Sequence, residues 1–115
     1  MSDTARKAIV SASAPVPAPF LSHANVIGNL VFCSGQVGQD PATGTLIKGT
    51  AADRARQILA NLRAVLEEAG SGLDQVAKVN IFLTRPEDFG AVNAVYEKHF
   101  SPPMPVSFAR RNRIV

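Results

Sequence analysis

The residues best placed to do chemistry lie in one run, residues 33–44, where small and turn-forming side chains follow an apolar stretch. Ser34-Gly35 at the end of a strand would let ligand atoms approach the backbone closely, because glycine carries no Cβ and tolerates unusual φ and ψ angles. The same run also suits a structural role, since residues 40–44 have ordinary turn chemistry and Ser-Gly is compatible with a β-bulge. Spacing alone favours the structural interpretation, because Gly and Pro mainly mark turns.

Three further residues are candidates for binding or reactivity. Asn93 lies among apolar positions of a predicted helix, where its amide suits either a hydrogen-bonded core position or a ligand contact. Arg110, near a short predicted strand, is either a solvated charge or a guanidinium fork for a small carboxylate. Cys33 follows apolar strand residues and is interpreted as an inert core thiol.

The sequence contains no pattern for a metal or cofactor site. His23 and His99 have no Cys, Asp or Glu at ligand spacing, so we interpret them as packing or surface residues. There is no phosphate-binding loop, no dinucleotide-binding glycine pattern and no nucleophile elbow. We therefore do not expect a metal ion.

Length and charge limit the function classes. The chain has 115 residues, of which 46% are apolar and 18% charged, as expected for one globular domain over residues 1–115. The net charge is +3, but Arg110, Arg111 and Arg113 lie in the last six residues. Without these three, nine basic residues balance nine acidic ones. Such a neutral body is a poor electrostatic footprint for a nucleic acid, which we do not expect as a partner.

Composition also bears on the compartment. No apolar run approaches the roughly 20 residues of a membrane helix, and the N-terminal residues do not resemble a secretory signal. Cys33 is the only cysteine, which excludes an internal disulfide and indicates a reducing compartment. We expect a cytoplasmic protein.

Several elements are predicted from pattern. An apolar stripe at steps of three and four predicts a helix over residues 51–69, with Thr50 as N-cap, Asp53 in the first turn and Gly70 as the left-handed stop. Thr84 and Glu87 have capping-box spacing before a second helix over residues 86–100. Strands are expected at residues 8–10, in a hairpin over 26–32 with Gly28-Asn29 as its turn, at 76–83 and from 106 to 108. The proline-rich residues 13–20 are expected to be extended and outside any ladder.

These elements predict an α+β sandwich in which two helices cover one face of a sheet. The other face then needs cover, which in a chain of this size another subunit is expected to provide. Assembly would create clefts between subunits, where small-molecule sites are common.

The order of these motifs resembles the Rid family (also called YjgF) of enamine/imine deaminases. The matching segments are residues 14–20, 28–36, 40–44, Asn61-Leu62, 79–83 and 89–97. The resemblance implies a chorismate-mutase-like fold with a mixed β-sheet, a homotrimer and sites between subunits. It also implies hydrolysis of 2-imino acids to 2-oxo acids and ammonia without a cofactor, and a mitochondrial location as an alternative to the cytoplasm.

The resemblance further implies site residues. Phe20 corresponds to an aromatic residue, often tyrosine, at the cleft; Ser34 and Gly35 would lie beside the bound carboxylate or imine. Asn93 would support the pocket from the second helix. The carboxylate-binding arginine corresponds to Arg110 if Phe108-Ala109 is taken as its approach, whereas an alignment on Met104-Pro105 places Ser107 there instead.

The C-terminal segment, residues 105–115, departs from the family pattern. The family has a glutamate in a final strand that is implicated in activating water, and no acidic residue follows Glu97 here. General acid–base catalysis typically contributes about 10²–10⁴ in rate, so its loss could leave only a weak deaminase. We interpret the segment as a truncated or alternatively spliced product or as a gene-model error. Two alternatives are a non-catalytic module that binds small carboxylates or a partner, and the RNA-cleaving or translation-inhibiting role assigned to parts of this family.

Overall fold

Three strands precede the first helix, and two more strands follow, one on either side of the second, in a computed structural model that describes residues 5–111, with the side chains of residues 5–106. The elements, in order, are β1 (Lys7–Ile9), β2 (Ala24–Ile27), β3 (Leu30–Cys33), α1 (Ala51–Glu68), β4 (Lys78–Leu83), α2 (Phe89–His99) and β5 (Val106–Arg111). Short 3₁₀ turns at Leu73–Gln75 and Pro86–Asp88 precede β4 and α2. The residues between β1 and β2, including Pro15, Pro17 and Pro19, are outside the strands, as predicted.

The first three strands form an antiparallel ladder in the order β1-β2-β3. Ile27 pairs with Leu30, so Gly28-Asn29 forms the two-residue turn of the predicted hairpin. Gly28 has φ 58°, and no non-glycine residue among those described has a positive φ. A positive φ at the first turn position only is typical of a type II′ turn, which places glycine there.

The last two strands form a parallel ladder, β4 with β5, connected by α2. The register runs from Lys78 opposite Val106 to Leu83 opposite Arg111. The strand expected from residue 106 is therefore present and extends to Arg111. Antiparallel and parallel pairings therefore both occur, but each in its own sheet rather than in the single mixed sheet that was expected.

One hydrophobic core joins both helices to both ladders. Its buried members include Leu59 and Leu66 of α1 and Val92, Val95 and Tyr96 of α2. From the strands, Val31, Val79, Ile81 and Leu83 pack against this core. The alternation predicted for β4 is confirmed, because these odd-numbered residues are half-buried and Lys78, Asn80 and Phe82 are exposed.

The strand face away from the helices, which we call the outer sheet face, is apolar and exposed in the single chain. It carries Leu30 (57% exposed), Phe32 (59%) and Phe82 (56%), together with Ile27 and Val106. Phe32 and Leu30 flank Val31, whose side chain packs on the helices, so they lie on the opposite face.

Helix α1 has the predicted caps. Thr50 Oγ1 accepts a hydrogen bond from Asp53 N at 3.2 Å, and Asp53 Oδ2 accepts from Thr50 N at 2.9 Å. This is a capping box with aspartate at its third position. Gly70 has φ 81°, the left-handed conformation predicted for the residue after the helix.

The capping box predicted for the second helix is wrong. The 3₁₀ turn Pro86–Asp88 lies between Thr84 and α2, so α2 begins at Phe89 and Thr84 is not its N-cap. The Glu87 carboxylate instead accepts from Arg85 Nε at 3.0 Å. A nearby guanidinium thus provides Glu87 with a charged partner.

Candidate functional site

Ser34 lies just beyond the end of β3 and is held by two hydrogen bonds to the chain entering β2. Its hydroxyl donates to Ser22 O at 2.6 Å, and its N–H donates to His23 O at 2.9 Å. A hydroxyl has one proton and two lone pairs. Because the Ser34 proton is used in the bond to Ser22 O, the Ser34 Oγ can only accept a hydrogen bond from a ligand. The residue is half-buried.

Gly35 follows with its backbone open to the surroundings. A Cβ built on Gly35 meets no atom within 4 Å, and its φ is not positive. Among the described residues, no acceptor is found for its N–H. Ser34 and Gly35 therefore present an acceptor oxygen and a backbone donor side by side.

The loop after Gly35 is fastened to α1. Asn61, which is 1% exposed, donates from Nδ2 to Gln39 O at 3.0 Å and approaches Val37 O at 3.5 Å. Its Oδ1 accepts from Gln57 Nε2 at 2.9 Å. Gly38 lies against α1, where a Cβ would come within 3.0 Å of the Arg54 Cβ. Sequence reasoning did not identify this brace, because a buried asparagine has no distinguishing pattern.

The other predicted binding residues are exposed in the single chain. Phe20 is 84% exposed, so it does not pack against its own chain. It precedes Ser22 by two residues, and the Ser22–Ser34 hydrogen bond therefore brings its segment to the candidate site. Asn93 is exposed on α2, which contradicts the interpretation as a core amide. No hydrogen bond among the described side chains joins Asn93 to Ser34.

Arg110 is described only by its backbone. It lies in β5, opposite Phe82 of β4, in a different sheet from β3, the strand that leads to Ser34. The alternative position, Ser107, is opposite Val79. The role of Arg110 stays a prediction, and residues 112–115 of the atypical segment lie outside the described residues.

Cys33 is exposed, so its interpretation as a core thiol is wrong. The physical reason is that it is the last residue of a strand at the edge of its ladder. Partial burial of the sulfur nevertheless raises the pKa of the Cys33 thiol, which disfavours the reactive thiolate.

The two histidines are packing residues, as predicted. His23 is 2% exposed and hydrogen-bonded through both ring nitrogens, and the His99 Nδ1 donates to Val95 O at 2.8 Å. Among residues 5–111, no three His, Cys, Asp or Glu side chains are grouped so that they could hold a metal ion. No helix in the described part of the chain has the length and apolarity to cross a bilayer.

The chain is similar to known proteins along most of its length. The family model described as Endoribonuclease L-PSP matches residues 11–111. A rat protein named 2-iminobutanoate/2-iminopropanoate deaminase is 36% identical over 109 residues, covering 95% of this chain and 80% of that protein. A protein of Schizosaccharomyces pombe named mmf1, mitochondrial, is 42% identical over 84% of this chain and 62% of its own length.

The comparison with solved structures indicates the same family. RidA from the Antarctic bacterium Psychrobacter sp. PAMC 21119 superposes with a TM-score of 0.89 at 35% identity, covering 95% of this chain and 88% of that one. The chain therefore belongs to the Rid family, whose family model carries the L-PSP description, and the predicted α+β chorismate-mutase-like fold is confirmed.

Proposed function

We propose that this protein hydrolyses 2-imino acids to 2-oxo acids and ammonia, in sites completed between copies of the chain. The proposal is supported by the identity to relatives named 2-iminobutanoate/2-iminopropanoate deaminase, which extends over 95% of this chain. The observation that carries it is the arrangement at Ser34-Gly35, where an acceptor-only oxygen lies next to an open backbone N–H.

The Ser34 oxygen suits the nitrogen end of such a substrate. Protonation of a 2-imino acid gives an iminium, whose nitrogen carries only donors, and the Ser34 Oγ has already committed its proton to Ser22 O. Hydrogen bonding to the charged form favours that form. Water then adds to the more electrophilic carbon and gives a tetrahedral carbinolamine, and a proton moves from the added oxygen to nitrogen. The C–N bond breaks with its electron pair leaving on nitrogen as the C=O bond forms, ammonia and the 2-oxo acid are released, and the proton taken up by the imine returns to solvent.

The carboxylate end needs donors. The Gly35 N–H provides one, and Arg110 from another copy is our proposed second, since a guanidinium binds a carboxylate through two parallel hydrogen bonds. Phe20 and Asn93 complete the pocket in this proposal. Their exposure in the single chain is consistent with side chains that meet ligand or a neighbouring subunit rather than their own core.

Assembly as a homotrimer is part of the proposal. The outer sheet face exposes Leu30 and Phe32 on one sheet and Phe82 on the other, and exposed apolar surface of this kind commonly marks protein interfaces. Light scattering coupled to size-exclusion chromatography should give three times the chain mass, and Phe32→Glu should lower it. A monomeric wild-type protein would overturn the shared site.

Turnover is tested by adding the protein to a pyridoxal-phosphate-dependent dehydratase that generates 2-iminobutanoate and following the release of 2-oxobutanoate. Gly35→Ala should fold normally, because its Cβ meets no atom of its own chain, yet should slow release by about 10-fold or more by misplacing the substrate. Gly90→Ala is the matched control, since its Cβ is equally unobstructed and it lies on α2.

Three outcomes distinguish the possibilities. Acceleration that Gly35→Ala and Arg110→Ala abolish supports the proposal, and acceleration that survives Arg110→Ala rejects that assignment. A folded protein that causes no acceleration is not a deaminase; if 2-oxobutanoate then raises its Tm, it is the carboxylate-binding module.

RNA cleavage is a second candidate because the matching family model is described as an endoribonuclease. The charge balance outside the last six residues gives little support for it. Incubation with labelled single-stranded RNA at several salt concentrations tests it, and absence of both binding and cleavage would reject it.

Fluorescence microscopy of the tagged protein distinguishes the cytoplasm from the mitochondrion, the location named for the S. pombe relative.

A further inference from the structure

His23 is a buried residue that does not belong to the proposed pocket but is hydrogen-bonded to Ser34 and to the segment before Phe20. It is 2% exposed, and each ring nitrogen has a backbone partner. Nδ1 accepts from Ser11 N at 2.9 Å, and Nε2 donates to Pro15 O. A backbone N–H can only donate and a carbonyl can only accept, so these contacts select the neutral tautomer with its proton on Nε2.

The backbone of His23 is equally committed. Its N–H donates to Ile9 O at 3.0 Å, and its carbonyl accepts from Ser34 N at 2.9 Å. The preceding carbonyl, that of Ser22, accepts the Ser34 hydroxyl. One residue therefore connects the end of β1, the proline-rich segment and the candidate site.

The proline-rich segment needs such a connection. Pro15, Pro17 and Pro19 have no N–H, so this stretch cannot be held by a ladder of backbone bonds. The imidazole is hydrogen-bonded to Pro15 within the segment and to Ser11 just before it. The segment then leads to Phe20, in a turn where Leu21 N donates to Ala18 O at 2.9 Å.

We infer that His23 is a positioning residue that sets the Phe20 segment and Ser34 relative to each other through its two ring nitrogens. The catalytic consequence of this inference rests on the proposed function, whereas its structural consequence can be measured without turnover. His23 does not touch the substrate in this inference, and it acts through Pro15 O on one side and its own carbonyl on the other.

Two substitutions separate the roles of the ring nitrogens. Asparagine places its side-chain oxygen near the Nδ1 position and keeps an acceptor for Ser11 N. Glutamine extends to the Nε2 position and keeps a donor for Pro15 O. Because Pro15 leads to Phe20, His23→Gln should retain more activity than His23→Asn. His23→Leu, which lacks both contacts, should lower kcat/KM by about 10- to 100-fold, the cost of a misplacement near 1 Å.

The control is a substitution that destabilises the core elsewhere. Leu73→Ala removes a buried side chain from the helix-facing core, remote in sequence from the segment and from Ser34. At a temperature where it and His23→Leu are both fully folded, its kcat/KM should stay within about two-fold of wild type, because its effect is on stability alone.

Amide hydrogen exchange measured by NMR gives the readout that does not depend on turnover. In His23→Leu the Ser11 and Ser34 amides should both lose protection, and in His23→Asn the Ser11 amide should keep it. Unchanged Ser34 protection in His23→Leu would overturn the inference even if the wild-type protein proved inactive. If wild type is active, equal kcat/KM in His23→Leu and Leu73→Ala would also overturn it, while the proposed function would stand.

Discussion

Asn61 allows a quantitative test of how the loop beyond Gly35 is held. Replacing it with leucine, which has similar volume, removes the donor to Gln39 O at 3.0 Å and the acceptor for Gln57 at 2.9 Å. The 3.5 Å approach to Val37 O is at the limit of a hydrogen bond and is not counted. Losing the bond with Gln57 costs about 1 kcal/mol, and leaving the Gln39 carbonyl unpaired costs about 1–3 kcal/mol, so Asn61→Leu should lower the free energy of unfolding by about 2–4 kcal/mol.

The assay is urea unfolding at one fixed protein concentration, because the stability of an oligomer depends on concentration. With a slope of about 2 kcal/mol per molar urea, the midpoint should fall by about 1–2 M. Gln57→Leu removes only the second bond, so its loss should be about 1 kcal/mol. Asn61→Asp should be more destabilising than Asn61→Leu near neutral pH, because a buried carboxylate would face the Gln39 carbonyl.

This reasoning would be refuted if Asn61→Leu left the urea midpoint unchanged, or if Asn61→Asp lowered the midpoint less than Asn61→Leu does. Either would mean that Asn61 packs against the loop without holding it by directed hydrogen bonds. Amide exchange in residues 36–39 is the local readout, and it should accelerate in Asn61→Leu more than in Gln57→Leu.

Two further predictions concern the start of α1. Gly49→Ala should destabilise the protein by about 1–3 kcal/mol in urea unfolding, because Gly49 has φ 133° and a Cβ would lie 2.5 Å from Asp53 Oδ2; an unchanged midpoint would contradict the cap geometry. Hydrogen bonds from the Thr50 N–H and hydroxyl, with Arg56 nearby, lower the pKa of Asp53. A lowered folded-state pKa gives stability that is present above the usual aspartate range of about 3.9 and is lost as pH falls through the folded value, so Asp53→Asn should flatten the acid side of the stability profile.

The sequence by itself determined the elements whose signals are local. The hairpin followed from Gly28-Asn29, where only glycine easily adopts the positive φ of the first turn position. Helix α1 was predictable from its apolar stripe and from Thr50 and Asp53. These two side chains accept hydrogen bonds from backbone N–H groups at the helix start, which have no acceptor within the helix. The family was also recognisable, because several separated motifs occur in one order and the family model spans residues 11–111.

The tertiary structure decided which polar side chains are buried and what they hold. His23 and Asn61 show no local pattern, yet each bonds to backbone groups distant in sequence, which only the folded chain brings near. Asn93, flanked by apolar neighbours, is exposed because the residues that α2 turns toward the core are Val92, Val95 and Tyr96. The capping spacing of Thr84 and Glu87 failed because a 3₁₀ turn intervenes before the helix. Local propensity acts over a few residues, whereas burial depends on contacts between elements that sequence spacing does not specify.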